Sequence, residues 1–186
     1  MIKEEFKNKL QEVFKEDKNR PLNIDGLIRL MEESDIEYLM ADLNGPMGMA
    51  TFNAVYINFN VISKYVTINK STEHLKMLYF IILHETAHFK RIRKMGKDVM
   101  LKNLSLSDFN EFSEHIINEE VFADKYASII YYKLNKFIYP KDYTQRLDNQ
   151  QNKERYKEKT RSYFNVIQND ETKYNNFVNK FINKIY

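Results

Sequence analysis

The stretch Met77-Leu78-Tyr79-Phe80-Ile81-Ile82-Leu83-His84-Glu85-Thr86-Ala87-His88 decides how this chain is read. From Met77 to Leu83 it is apolar on every side of a helix, so the helix that carries it belongs in the interior. Ser71 or Thr72 can cap that helix, which the pattern extends from about Glu73 to Lys94. It turns basic at Lys90, Arg91, Arg93 and Lys94, as suits a helix C-terminus, and Gly96 closes it in a left-handed turn. Residues four apart on a helix project about 40° from one another. His84 and His88 can therefore reach one ion, while Glu85 points to the side where a bound water would lie. Burying three polar groups without partners costs several kcal/mol, which weighs against their being ordinary core residues.

A zinc site that does chemistry needs a third protein ligand and an open position. Asp108, with Glu111 three residues on, resembles a capping box that opens a second long helix running to about Asn135. On it, Glu120 shares a face with Ile116, Ile117, Ala123, Asp124 and Ala127, and the alanines permit close approach of the two helices. Glu119 sits instead with the bulkier His115, Phe122 and Tyr126, so the faces favour Glu120 as the ligand. Asp124, one turn further on, is placed to accept the outer ring N–H of His84; its alternative is a surface ion pair with Lys125 or Lys94. For a donor that would stabilise an oxyanion opposite the metal the candidates are His115, Tyr126, Tyr131 and Tyr132. His74, in the first turn of the buried helix, reads as structural.

Outside these helices, residues 3–16 read as an amphipathic helix with Phe6, Leu10, Val13 and Phe14 on one face. Pro21 ends it, and Asn23 can cap a shorter helix carrying Leu27, Ile28, Leu30 and Met31. Tyr38 to Met40 is a strand candidate, Asn44-Gly45-Pro46 with Gly48 marks a loop, and Ala50 to Phe59 is β-prone. A loop is expected between Gly96 and Asp108. From Tyr143 on, the tail is helical in period, and its last apolar stripe runs through Tyr174, Phe177, Val178, Phe181, Ile182 and Ile185. The charge mixture around Lys153 to Arg161 reads as a solvated, ion-paired helix face, not as a nucleic-acid surface.

The 186 residues suffice for one domain with a sizeable core. With 43% hydrophobic and 30% charged residues, 4 Gly and 3 Pro, the bulk of the chain is not disordered. The absence of cysteine removes disulfides, thiolate catalysis and zinc-finger-type sites, so a metal would have to use His, Asp or Glu. A net charge of +3, from 29 basic and 26 acidic residues, is too balanced to argue for a nucleic-acid or membrane partner. The N-terminal Met1 to Leu10 lacks the apolar core of a signal peptide, which leads to the expectation of a soluble, cytoplasmic protein.

His84-Glu85-x-x-His88 followed by Glu120-x-x-Ala123-Asp124 resembles the gluzincin class of zinc metallopeptidases. The stretch from Gly48-Met49-Ala50 to Asn58 resembles the edge-strand region of the ImmA/IrrE family. The match covers about Leu39 to Ile130. Thr86-Ala87 stands where an apolar residue followed by glycine is common in that family, and no helix-turn-helix segment is evident at either end. The resemblance implies a zincin-like fold and intracellular proteolysis with Zn2+, and substrates that include DNA-binding repressors and stress regulators. It also implies His84, His88 and Glu120 as ligands, Glu85 as catalytic base and Asp124 as the residue that orients a ligand. The expectation is an α+β, helix-rich single domain over residues 1–186, with N-terminal helices over 1–35, a catalytic core over 36–135 and a helical extension over 141–186. Its expected activity is metal-dependent peptide hydrolysis, with an extended substrate paired to the sheet edge near Met49 to Asn53. The competing expectations are a zinc-binding module without proteolysis, in which Glu85 has no use, and a nucleic-acid-binding sensor.

Overall fold

The computed structural model describes residues 2–15, 22–43, 47–60, 73–104, 106–138, 147, 149–166, 172 and 182–184. Helix α1 (Glu4–Phe14) places Glu4 and Glu5 in the first turn, where the helix dipole favours acid. It buries Phe6, Leu10 and Phe14, which repeat every four residues. Asn23 opens helix α2 (Ile24–Glu33) by accepting the Gly26 N–H on its side-chain oxygen at 2.8 Å. Asp35, in the left-handed region with φ of 51°, turns the chain into strand β1 (Glu37–Leu43).

The β-prone stretch from Ala50 to Phe59 contains the end of one strand, a turn and a second strand. Strand β2 (Gly48–Ala50) and strand β3 (Ala54–Ile57) run antiparallel, Gly48 opposite Ile57 and Ala50 opposite Val55. The reversal uses neither Gly nor Pro: the Thr51 N–H donates to Ala54 O at 2.9 Å, and the Thr51 hydroxyl oxygen accepts the N–H groups of Asn53 and Ala54. Gly48, expected in a loop, lies inside β2, while Asn44 to Pro46 lie outside the described residues. β1 pairs with β3 in parallel, Glu37 opposite Ala54 through Met40 opposite Ile57.

Helix α3 (Glu73–Met95) is buried through Leu78 to Leu83, as its all-round apolar character requires. Its expected caps, Ser71 and Thr72, lie outside the described residues. Gly96 ends it at φ 85°, but the chain then enters a further helix, α4 (Lys97–Leu104), where a loop was expected. A helix this short carries too few apolar positions to show a period, so the glycine that stops α3 reads as the end of all helix. Helix α5 (Phe109–Asn135) is capped by Asp108, whose carboxylate accepts the N–H groups of Asn110 and Glu111 at 2.8 and 3.0 Å.

Asn23 fastens three helices together. Its N–H donates to Asn135 Oδ1 at 2.8 Å, its side-chain amide donates to Leu134 O at 3.1 Å, and its carbonyl accepts the Tyr79 hydroxyl at 2.9 Å. One core runs from α1 and α2 through Tyr38, Val55 and Ile57 of the sheet to α3 and α5. Within it the rings of Tyr79 and Tyr131 meet edge to face at 5.3 Å.

Helix α6 (Gln150–Val166) lies on α5, with the Phe164 ring 5.4 Å from Phe109 and 5.3 Å from Phe112. Arg161 sits over the Phe109 ring and pairs with Glu158 at 3.2 Å, in keeping with an ion-paired face. The helical reading of the tail fails at strand β4 (Ile182–Lys184), which pairs antiparallel with β1, Ala41 opposite Lys184. β1 runs on beyond its pairing with β3, and the open hydrogen-bonding groups of that edge draw the segment into extended form. Tyr174, Phe177, Val178, Phe181 and Ile185 lie outside the described residues. The chain is thus a helix-rich α+β fold with strands in the order β2-β3-β1-β4. Among the described residues no helix is long and apolar enough to cross a membrane.

Candidate metal centre

α3 and α5 pack against each other with the small residues Ala87, Ala123 and Ala127 fully buried. The cross-helix pairs His84 with Asp124, His88 with Glu120 and Arg91 with Glu119 show that the two run antiparallel. Close packing of this kind lets short side chains on facing helices converge on one point.

His84, His88 and Glu120 do converge. The two Nε2 atoms are 3.0 Å apart. The Glu120 carboxylate places one oxygen 3.2 Å from His88 Nε2 and the other 3.6 Å from His84 Nε2. Ligands bonded at about 2.0 Å in a tetrahedron stand roughly 3.3 Å from one another, so these separations suit a single small cation. The donor set of two imidazole nitrogens and a carboxylate oxygen fits zinc, and also other divalent first-row metals. These three residues are a group able to hold a metal ion.

Asp124 lies on the far side of the His84 ring. Its carboxylate can only accept, so His84 Nδ1–H donates to Asp124 Oδ1, at 2.9 Å. In neutral His84 that leaves the Nε2 lone pair facing His88 and Glu120. This is the contact expected of Asp124, in place of the alternative surface pair with Lys125 or Lys94, and Asp124 is only 3% exposed.

The electrostatics ask for positive charge at the centre. Burial by itself would lower the His84 pKa, but hydrogen bonds to Asp124 and Glu120 and the charges of Glu85 and Glu120 pull it up to about 10. Burial would raise the Glu120 pKa, and the hydrogen bonds and charges of the two histidines instead hold it well below the usual carboxylate range. A proton on His84 and a divalent cation are therefore alternative ways to balance the same carboxylates.

Glu85 faces the sheet. Burial raises its pKa most, with the charge of Glu120 adding to that, while the two histidines and a hydrogen bond from the Ala50 backbone work in the other direction. The alternation along β2 explains why Ala50 is free to reach it. Asn58 N–H bonds Met47 O and Thr51 N–H bonds Ala54 O, so the odd positions point their main-chain groups at β3. Gly48 and Ala50 then turn theirs to the outer edge of the sheet. The open edge is shorter than the expected Met49 to Asn53, because Thr51 to Asn53 make the turn.

The remaining candidates separate by packing. Glu119 is held by Arg91 at 2.7 Å, and Arg91 also covers the Phe122 ring at 4.4 Å, so Glu120 is the glutamate at the centre. His115 is half-buried, which lowers its pKa; the charges that act on it are those of Glu119 and Arg91. Tyr131 is sealed in the core against Tyr79 and is ruled out as a group that meets substrate. Tyr126 accepts a hydrogen bond from Lys90 Nζ at 3.0 Å, and Tyr132 is 53% exposed three residues short of the end of α5. His74 lies ten residues before His84 on α3, about 15 Å along the helix.

Sequence reasoning missed two contacts. Thr86 Oγ1 donates to Ile82 O at 2.6 Å, so the Tyr38 hydroxyl, 2.8 Å away, donates to Thr86 and ties β1 to α3. A polar residue between the histidines of a buried helix was the signal for such a partner. The other is Gly48, which touches Glu85 and carries no sequence signal of its own beyond being glycine. Comparison of the chain with protein-family models, curated proteins and solved structures found no match.

Proposed function

We propose that the chain is a zinc-dependent endopeptidase, similar to the ImmA/IrrE family of gluzincins, that acts in the cytoplasm on a protein substrate of the repressor or stress-regulator kind. The observation that carries this reading is the convergence of His84, His88 and Glu120 beside a carboxylate, Glu85, that is half-buried next to them without belonging to the group. A zinc ion bound there would make a water acidic and polarise a peptide carbonyl.

The chain's own residues supply the rest. Glu85 takes a proton from the attacking water and returns it to the leaving nitrogen, and its raised pKa suits both transfers. Asp124 keeps His84 in the tautomer that offers Nε2. The outward main-chain groups of Gly48 and the carbonyl of Ala50, whose N–H is taken by Glu85, offer an extended peptide a strand to pair with. A module in which the metal only ties α3 to α5 would have no use for Glu85.

The deciding experiment compares wild type with Glu85→Gln for zinc content and for hydrolysis of casein. The variant is expected to hold zinc as wild type does and to lose cleavage by roughly a thousandfold. Undiminished cleavage by the variant, or a wild type that binds no zinc, overturns the reading.

A further inference from the structure

Gly48 marks the point where the edge strand comes closest to α3. A Cβ on its backbone would stand 2.7 Å from Glu85 Cγ, 2.8 Å from Ile81 Cγ2 and 3.2 Å from Glu85 Oε1. Carbon atoms pack at about 3.5–4.0 Å, so no side chain fits there as things stand. The glycine is not required by backbone geometry. It lies in regular strand opposite Ile57, unlike Gly96 with its φ of 85°.

Two residues on, the Ala50 backbone hydrogen-bonds the Glu85 carboxyl. Positions 48 and 50 share a strand face, so β2 meets Glu85 twice: once through the main chain and once through bare backbone against its Cγ. Glu85 follows a ligand on a buried helix and cannot move its backbone without moving His84. A methyl group at position 48 would therefore be relieved by turning the Glu85 side chain or by lifting β2, and Ile81 blocks the neighbouring space.

We infer that Gly48 is a positioning residue for Glu85: the missing side chain sets the conformer that keeps the carboxylate against β2 and beside the metal ligands. The catalytic consequence rests on the endopeptidase reading; the contact itself does not. The metal ligands sit on α3 and α5, so the metal should be indifferent to the change.

The test is a double-mutant cycle of wild type, Gly48→Ala, Glu85→Ala and the double variant, each loaded with zinc. Gly→Ala in a strand ordinarily stabilises, because the unfolded chain loses freedom. Here Gly48→Ala is expected to lower Tm by about 3 °C. With Cγ and both carboxylate oxygens removed in Glu85→Ala, the same substitution should cost less than half as much. Zinc content should stay at the wild-type level in Gly48→Ala. With casein as substrate, its kcat should fall roughly 100-fold while KM holds, the pattern of a displaced base and not of a lost binding site.

Equal Tm losses in the two backgrounds, or a raised Tm in Gly48→Ala, overturn the inference. Should Gly48→Ala fail to fold, recovery of folded protein in the double variant supports it and continued failure overturns it. If wild type does not cleave casein, the endopeptidase reading is what fails, and the thermal cycle still decides the role of Gly48.

Discussion

Asp124 Oδ1 lies 2.9 Å from His84 Nδ1, on the opposite side of the ring from the nitrogen that meets His88 and Glu120. The contact orients the imidazole and fixes which nitrogen carries the proton. Asp124→Ala should therefore weaken zinc binding about 10–100-fold with all three ligands intact. A competition titration against a chromophoric chelator reads this directly, and unchanged affinity would remove Asp124 from the site.

Glu119 and Glu120 are neighbours in sequence and separate in role. Glu120→Ala should abolish tight zinc binding, whereas Glu119→Ala should leave it within about threefold of wild type, because Glu119 is spent on Arg91. Metal content of the two purified variants distinguishes them, and tight binding by Glu120→Ala would contradict the assignment.

The His84 pKa of about 10 has two consequences of opposite sign. A proton that the fold holds more tightly than the unfolded chain does stabilises the metal-free protein fully below the unfolded value of about 6.5. That contribution is lost as pH rises toward about 10. Chelator-treated protein should thus lose Tm over this window, while the zinc-loaded form does not.

A metal ion coordinated by His84 would have to displace the same proton, so zinc binding should release it and weaken as pH falls. Calorimetry at pH 7 in buffers of different ionisation enthalpy measures the proton count, and a value of zero would mean that His84 is already neutral.

Asn23 caps α2 and also holds the end of α5. Asn23→Ala should cost about 1–2 kcal/mol, a Tm lowered by roughly 3–6 °C, with zinc affinity unchanged. Thermal unfolding of the zinc-free protein tests it without interference from the metal.

The helices were legible where their signals are local. Asn23 and Asp108 cap the helices they were expected to cap, and Phe6, Leu10 and Phe14 repeat at the interval that buries one face. α4 was not legible, because eight residues after a stopping glycine show no clear period. The hairpin turn was missed because a threonine hydroxyl does the work usually signalled by Gly or Pro. β4 was read as helix because its extended form depends on an open edge of β1, about 140 residues earlier in the chain.

The site divides in the same way. His84, Glu85 and His88 stand at fixed angles on one helix, so their order in the chain alone determined that the histidines face one point and Glu85 stands aside. That Glu120 completes the group and Glu119 does not, that Asp124 accepts the hydrogen bond of His84 Nδ1–H, and that Gly48 bears on Glu85 were decided only when α3, α5 and β2 packed together. Helical geometry repeats over a few residues and can be read along the chain. The distance between segments far apart in sequence is set by how side chains of particular sizes fill the space between them.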